Sequence, residues 1–335
     1  MSKIDPNTEY RAFVARENAD GSFSQALEKK KISELPDHEV LIRVKYAALN
    51  YKDALSASGH KGISKNYPHT PGVDACGIVV ESASDQFSEG DEVIVTSYDF
   101  GMNTSGGFQE YIRVPADWPV HLPQGMSLEE SMILGTGAFT AALSIYKMEI
   151  NGQKPEMGPV LVTGATGGVG SMAVKLLHQN GYKVIASSGK ASAHDFLRRL
   201  GADEIIDREE VNDQSGRPLL RYKWAGAIDT VGDNTLATCI KACDRNGNIA
   251  VCGLVQSPEL HTTVYPFILN GVNLLGIETA ETPRDIRLKI WELLSGDWKI
   301  SELNSIKNVI SLDELQSHIS LMLAGKSKGR CLIKL

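Results

Sequence analysis

The sequence has no apolar run approaching the roughly 18 residues needed to cross a bilayer. Its start, Met1-Ser-Lys-Ile-Asp-Pro-Asn-Thr-Glu, lacks an apolar core and so does not read as a secretory signal. Aromatic residues make up only 7% of the chain, and positive charge is in deficit: 34 Lys and Arg against 41 Asp and Glu leave a formal net charge of −7. Such a chain has no overall basic field to attract nucleic acid or anionic lipid, so neither a nucleic-acid nor a membrane partner is expected. Cysteine is sparse and odd in number: Cys76, Cys239, Cys243, Cys252 and Cys331. No pair has Cys-x-x-Cys spacing, and no second His or Cys pair near Cys239 and Cys243 completes a zinc knuckle. The five read as free thiols packed as small apolar groups, and a cytoplasmic protein is expected. What is modestly over-represented is glycine, 31 of 335 residues.

At about 150 residues per domain the length predicts two domains. The first 130 residues read as short strands joined by loops. Val40, Ile42, Val44 and Tyr46 alternate with Glu39, Arg43 and Lys45, broken only by Leu41, and Val73 to Val80, Val93 to Thr96 and Phe108 to Val114 are further β-rich runs punctuated by glycine. This pattern suits an antiparallel or barrel-like β domain. Small and apolar residues at helical spacing follow from Leu128 to Tyr146, opened by a Ser127 and Glu130 capping box. From Val160 onward strands and helices alternate with short connections, which predicts a doubly wound parallel sheet. The tail returns to helix from about Arg284 and ends in a strand, Arg330-Cys-Leu-Ile-Lys-Leu335. A closing strand of this kind is able to rejoin the first domain, making the α/β block an insertion.

Within that block the strongest local signal is Gly164-Ala-Thr166-Gly167-Gly168-Val169-Gly170. A Gly-x-Gly-x-x-Gly pattern alone is weak, and this spacing is a variant of it. The context carries the weight: the loop leaves an apolar strand and opens an amphipathic helix. Glycine permits the tight turn and lets backbone amides approach a pyrophosphate, whose charge the helix N-terminus favours. A dinucleotide is therefore expected. An NAD site usually places an acid about 20 residues on, for the ribose hydroxyl. Here the second strand ends Ser187-Ser188-Gly189-Lys190, with Arg208 just past the third strand. Hydroxyls and cations suit a 2′-phosphate, so NADPH is expected over NADH.

Seven motifs in order then give the chain a family likeness: Leu49-Asn-Tyr-Lys-Asp53, Pro71-Gly-Val-Asp74, Gly90-Asp-Glu-Val93, Gly135-Thr-Gly-Ala-Phe-Thr140, Trp224-Ala-Gly-Ala-Ile-Asp-Thr-Val-Gly232, Tyr265-Pro-Phe-Ile-Leu269 and Lys328-Gly-Arg330. Together they resemble the zinc-free quinone-oxidoreductase branch of the medium-chain dehydrogenase/reductase superfamily, and within it the bacterial acrylyl-CoA reductase group. The likeness runs from about Ala12 to Leu335. It implies an α/β fold in which a GroES-like β-rich catalytic domain (1–130 and 284–335) is interrupted by a Rossmann NADPH-binding domain (131–283). It also implies a homodimer. Zinc-dependent relatives carry Gly-His-Glu where this chain reads Gly72-Val73-Asp74, a metal-ligating cysteine near the position of Asn50 and, in many, a four-cysteine lobe. None is present, so no metal is expected.

The resemblance implies NADPH-dependent hydride transfer to the β-carbon of an α,β-unsaturated carbonyl, followed by proton delivery to the α-carbon, taking acrylyl-CoA to propionyl-CoA. Asn50, Tyr51 and Arg330 are then candidate donors to the carbonyl oxygen, with Asp53 orienting one of them. Tyr51 is also expected against the nicotinamide mononucleotide half of the cofactor. Gly253, Leu254, Ile268 and Thr279 stand where further cofactor contacts fall in the family. Each has a plainer reading. Asp53 suits a cap on the following helix, Asn50 a turn, Arg330 a surface ion pair, Tyr51 a half-buried aromatic, and Leu254 and Ile268 a core. Two functional alternatives stay open: a general NADPH:quinone or enone oxidoreductase, since the same chemistry serves any electron-poor alkene, and a non-catalytic NADPH-binding protein.

Overall fold

The protein was analysed as a computed structural model that describes residues 4–335; the first three residues of the start segment lie outside it. The chain divides into two compact units. One comprises residues up to Thr136 together with Thr279–Ser295 and Ser301–Leu335, and the other comprises Gly137–Glu278 and Gly296–Ile300. The chain thus begins and ends in the same unit.

The first unit is built on a seven-stranded sheet whose centre is the strand Val40–Leu49. That strand pairs antiparallel with Asp74–Ser82, with Tyr111–Val114 and with the closing strand Arg330–Lys334. Its alternation explains its place. Val40, Ile42 and Val44 bury one side against Val79, Val93, Val95, Phe100 and Ile112, each burial contributing roughly 1.5–3 kcal/mol. Ala47 and Leu49, past the register shift between Val44 and Tyr46, pack with Ile333, Leu312, Leu315 and Ile319. The tail is less helical than its sequence suggests: Lys307–Ser311 is a strand, parallel to Arg330–Lys334. A further antiparallel ribbon, Glu9–Glu17 with Phe23–Lys31, precedes the sheet.

The second unit carries a six-stranded parallel sheet in the order Glu204–Ile206, Val184–Ser187, Val160–Val162, Trp224–Asp229, Cys243–Val251, Asn273–Gly276. Numbered along the chain this is 3-2-1-4-5-6, the doubly wound order, so winding reverses between Val160–Val162 and Trp224–Asp229. The helix Leu128–Ile150 opens with the expected box: Ser127 N–H donates to Glu130 Oε2 (2.8 Å) and Glu130 N–H to Ser127 Oγ (3.2 Å). It is not continuous, however, because Gly135 breaks it with φ 47°. Among the described residues no helix is long and apolar enough to cross a membrane. The five cysteines are unpaired, and burial pushes the Cys76, Cys243 and Cys252 thiols up to about 12.

Candidate active site

At the end of the central strand of the first unit the chain turns into a short helix, Tyr51–Ala57, with Asn50 as its N-cap. Asp53 closes that turn, its Oδ2 accepting the Asn50 N–H (2.8 Å). Its other oxygen accepts the Val73 N–H (2.9 Å), which ties the turn to the Gly72-Val73-Asp74 segment. Asp53 therefore does cap the helix, and it does so while completely buried. Burial first, and the nearby Asp74 carboxylate second, raise its pKa from 3.8 to about 7.

Asp74 is the hub of the cluster. Its Oδ2 accepts from Asn50 Nδ2 (2.8 Å) and from the Thr136 N–H (2.8 Å), and its Oδ1 accepts from the Thr136 hydroxyl. Arg330 lies beside it, Nη2 3.5 Å from Asp74 Oδ2, and donates through Nη1 to Asn50 Oδ1 (2.9 Å) and through Nε to Ile133 O (2.9 Å). Only 2% of Arg330 is exposed, and burial lowers its pKa while the Asp74 and Asp53 carboxylates oppose that shift. The break at Gly135 makes room for this pair. A Cβ there would stand 2.6 Å from both Arg330 Nη2 and Asp74 Oδ2. Asn50 is thus gripped from both ends, its oxygen by a cation and its nitrogen by an anion. Its second N–H has only a long contact, 3.4 Å, to Ala48 O. Tyr51, the next residue, is 42% exposed.

Asn50, Asp53 and Arg330, named from sequence motifs, are therefore one connected network, and Arg330 pairs with a buried carboxylate instead of a surface one. Asp74 and Thr136 belong to it and were quoted only within motifs. Two signals pointed to them, an aspartate at the family's metal-ligand motif and a glycine before Thr136.

In the second unit, Gly164 leaves the strand Val160–Val162 with φ 56° and the helix Gly168–Gln179 begins after Gly167. A Cβ on Gly170 would lie 2.3 Å from Gly164 O, so only glycine lets this helix start against the loop. Thr166, Gly167, Gly168 and Val169 thus lead into a twelve-residue helix whose first N–H groups lack intrahelical partners. The second and third strands bring Ser188 and Arg208 to neighbouring positions. Ser188 N–H donates to Ile206 O (3.0 Å), and the Lys190 N–H to Ser188 Oγ (3.2 Å). Arg208 lies across Gly189, where a Cβ would be 3.0 Å from its Cδ. Gly253 and Leu254 follow the strand Cys243–Val251, and Ile268 sits on the helix Tyr265–Asn270. Leu254 (63% exposed) and Ile268 (68%) are not core residues. Thr279 falls in the first unit, its carbonyl accepting from Arg287 Nη2 (2.9 Å).

These features agree with the chain's relatives. Residues 36–124 match the alcohol dehydrogenase GroES-like domain, and residues 168–295 the zinc-binding dehydrogenase domain. The acrylyl-CoA reductase AcuI of Ruegeria pomeroyi is 37% identical over 320 residues, covering 96% of this chain and 97% of that protein. The chain belongs to the medium-chain dehydrogenase/reductase family. Within it the chain is a member of the quinone-oxidoreductase and acrylyl-CoA reductase group. Bacillus subtilis YhfP, crystallised with NAD bound, is 45% identical with a TM-score of 0.95, covering 98% of this chain and all of that one. The yhdH oxidoreductase of Salmonella enterica, solved in complex with NADP, is 40% identical with a TM-score of 0.94, covering 97% and 99%. This family member is accordingly an oxidoreductase, with a GroES-like unit interrupted by a Rossmann unit.

Proposed function

We propose that the protein uses NADPH to reduce the carbon–carbon double bond of an α,β-unsaturated thioester, taking acrylyl-CoA to propionyl-CoA. The observation that carries this reading is the gripped Asn50 amide beside the exposed Tyr51. When bound, NADPH supplies the hydride for the β-carbon, and a proton drawn from solvent completes the α-carbon. The chain's task is then to stabilise the negative charge that develops on the substrate's carbonyl oxygen. The weakly engaged N–H of Asn50 and the Tyr51 hydroxyl are the donors for it. Arg330, bonded to Asn50 Oδ1, polarises the amide and makes its N–H a stronger donor. Asp53 and Asp74 touch no substrate and act by holding Asn50 in place. Donors preorganised in this way contribute roughly 3–4 kcal/mol to acyl-group transition states.

The glycine-rich loop, with Gly164 through Gly170, is the seat for the pyrophosphate, and Ser188, Gly189, Lys190 and Arg208 are the seat for the 2′-phosphate. Gly253, Leu254, Ile268, Thr279 and Tyr51 are proposed contacts of the nicotinamide half. A metal does not fit. Among the described residues no three His, Cys, Asp or Glu side chains converge to hold one, and Asp74 is committed to Asn50, Thr136 and Arg330. The protein is proposed to be a homodimer. The exposed Val264, Tyr265 and Leu269, with the edge strand Asn273–Gly276, support that.

The test is loss of NADPH absorbance with acrylyl-CoA, crotonyl-CoA and 1,4-benzoquinone in parallel, with and without a chelator. Turnover of acrylyl-CoA that is insensitive to chelator is expected. Turnover of benzoquinone with neither thioester reduced would overturn the substrate assignment. Sedimentation as a monomer at micromolar concentration would overturn the dimer.

A further inference from the structure

The winding of the parallel sheet reverses between Val160–Val162 and Trp224–Asp229, and ligands of such sheets bind outside the carboxyl ends of the strands at that reversal. A knot of buried and partly buried side chains sits there. Asp229, fully buried, accepts the Thr163 hydroxyl on Oδ1 (2.6 Å) and the Gly232 N–H on Oδ2 (2.8 Å). The Thr163 hydroxyl in turn accepts the Thr230 N–H (3.0 Å), and the Thr230 hydroxyl donates to Thr163 O (3.1 Å). The Asp229 carbonyl accepts from Cys252 N–H (3.0 Å) and Cys252 Sγ (3.3 Å).

Two of the chain segments leaving this end of the sheet are packed against the knot. A Cβ on Gly164 would lie 2.3 Å from Thr230 Oγ1, and one on Gly253 would lie 2.2 Å from Thr230 O. Gly164 opens the pyrophosphate loop, and Gly253 leads into Leu254. We propose that Asp229, acting through Thr163 and Thr230, is a positioning residue that sets the spacing between these two backbone cradles for NADPH. The inference rests on the cofactor assignment made above and adds to it the group that holds the cradles in register.

The choice of residue supports this. A buried carboxylate is costly unless its oxygens are hydrogen-bonded, and a strand end needs none to pair. Asp229 offers acceptors only, and its side-chain partners, a hydroxyl and backbone N–H groups, are donors. Asparagine would turn an N–H toward one of them. Burial raises the Asp229 pKa, while Thr163 and the backbone N–H groups of Gly232 and Val231 oppose that rise.

Binding of NADPH and of 2′,5′-ADP to the full-length protein tests the inference, in wild type and in Thr163→Ser, Thr163→Val, Thr230→Val and Asp229→Asn. The smaller ligand carries the 2′-phosphate but no nicotinamide half, so it does not span the two cradles. Thr163→Ser keeps the hydroxyl and is expected to bind both ligands as wild type does. Thr230→Val, which orphans no carboxylate, and Thr163→Val are expected to weaken NADPH roughly tenfold while 2′,5′-ADP changes less than about twofold. Parallel weakening of both ligands would mean that the knot only stabilises the fold, and would overturn the inference. Unchanged NADPH binding in Thr230→Val and Thr163→Val would overturn it too. Wild-type protein that bound no NADPH would remove the cofactor assignment itself, and the inference with it.

Discussion

Two fully buried carboxylates, Asp74 and Asp229, stand at the chemical centres of the two units, and they are used in opposite ways. Asp74 has a cation beside it and a second carboxylate nearby, and the network around it ends on a side chain, the amide of Asn50. The hydrogen bonds to the Asp229 side chain come from a hydroxyl and backbone N–H groups, and its network ends on backbone at Gly164 and Gly253. One unit therefore prepares a donor whose strength depends on charge. The other prepares a shape whose value depends on where the main chain lies. Damage to the first should appear in stability and in the chemical step, and damage to the second in nucleotide affinity.

The largest effect should come from removing the cation. Arg330→Met leaves Asp74 and Asp53 buried without the guanidinium, and breaking a buried pair from one side costs about 3–5 kcal/mol. Asp229→Asn loses only hydrogen bonds and should cost about 1–3 kcal/mol. Urea unfolding of both variants at neutral pH decides the matter. If Arg330→Met were no less stable than Asp229→Asn, the contrast between a carboxylate held by a cation and one held by hydrogen bonds alone would collapse.

The burial of Asp53, with the Asp74 carboxylate close by, predicts a pH dependence. Asp53 holds its proton to about 7 in the folded chain, against 3.8 when free of the fold. Between these values the unfolded state binds fewer protons, so stability falls as pH rises. The contribution is fully present below 3.8 and is lost as pH passes through about 7. Its slope approaches about 1.4 kcal/mol per pH unit at most. Carboxylates with lowered values, such as Glu28 beside Arg16, act in the opposite direction, so the comparison must be with Asp53→Asn. Unfolding midpoints measured from pH 4 to pH 8 should converge for the two proteins at the acid end and separate above it. Parallel curves would show that Asp53 is ionised throughout.

Asn50→Ala tests the product of the first network directly. It should lower kcat/KM for the enoyl thioester by roughly a hundredfold, the usual loss when one oxyanion donor is removed, and leave the NADPH dissociation constant unchanged. A loss confined to NADPH affinity would move Asn50 to the nucleotide side of the comparison.

The two networks were not equally legible in the sequence. The nucleotide edge is local: a strand, a glycine-rich loop and a helix follow one another within twenty residues, and close backbone packing demands glycine at Gly170 whatever surrounds it. The alternation of strands and helices likewise disclosed the parallel sheet, and the closing strand suggested its insertion in a β-rich unit. Around Asp74 the partners are far apart, Thr136 62 positions on and Arg330 256, so no spacing rule could join them. Motifs supplied Asn50, Asp53 and Arg330 one by one, and only the fold shows that they share a carboxylate. Some strands were hidden for a different reason. Phe23–Lys31 is lysine-rich and mostly solvent-facing, and Lys307–Ser311 buries only Ile310 fully, so neither carries a clean alternation.

The smallest expected effect concerns the place where the second unit is proposed to meet its ligand with charged side chains. Arg208 crosses Gly189 in the open, with Glu209 Oε1 3.5 Å from its Nε, and Lys190 follows Gly189 in the chain. Solvent screens such groups, so each should add only a few-fold to the preference for NADPH over NADH, and the two together roughly tenfold. The double variant Lys190→Ala, Arg208→Ala should lose that preference through KM for NADPH, with kcat at saturating NADPH unaltered. Gly189→Ala should mimic part of it, because the added Cβ must displace the Arg208 side chain by several tenths of an ångström. If both variants kept the wild-type ratio of NADPH to NADH utilisation, the 2′-phosphate would have to be held by Ser188 and backbone alone. The second unit would then use no charged side chain for its ligand at all, and its contrast with the Asp74 cluster would be complete.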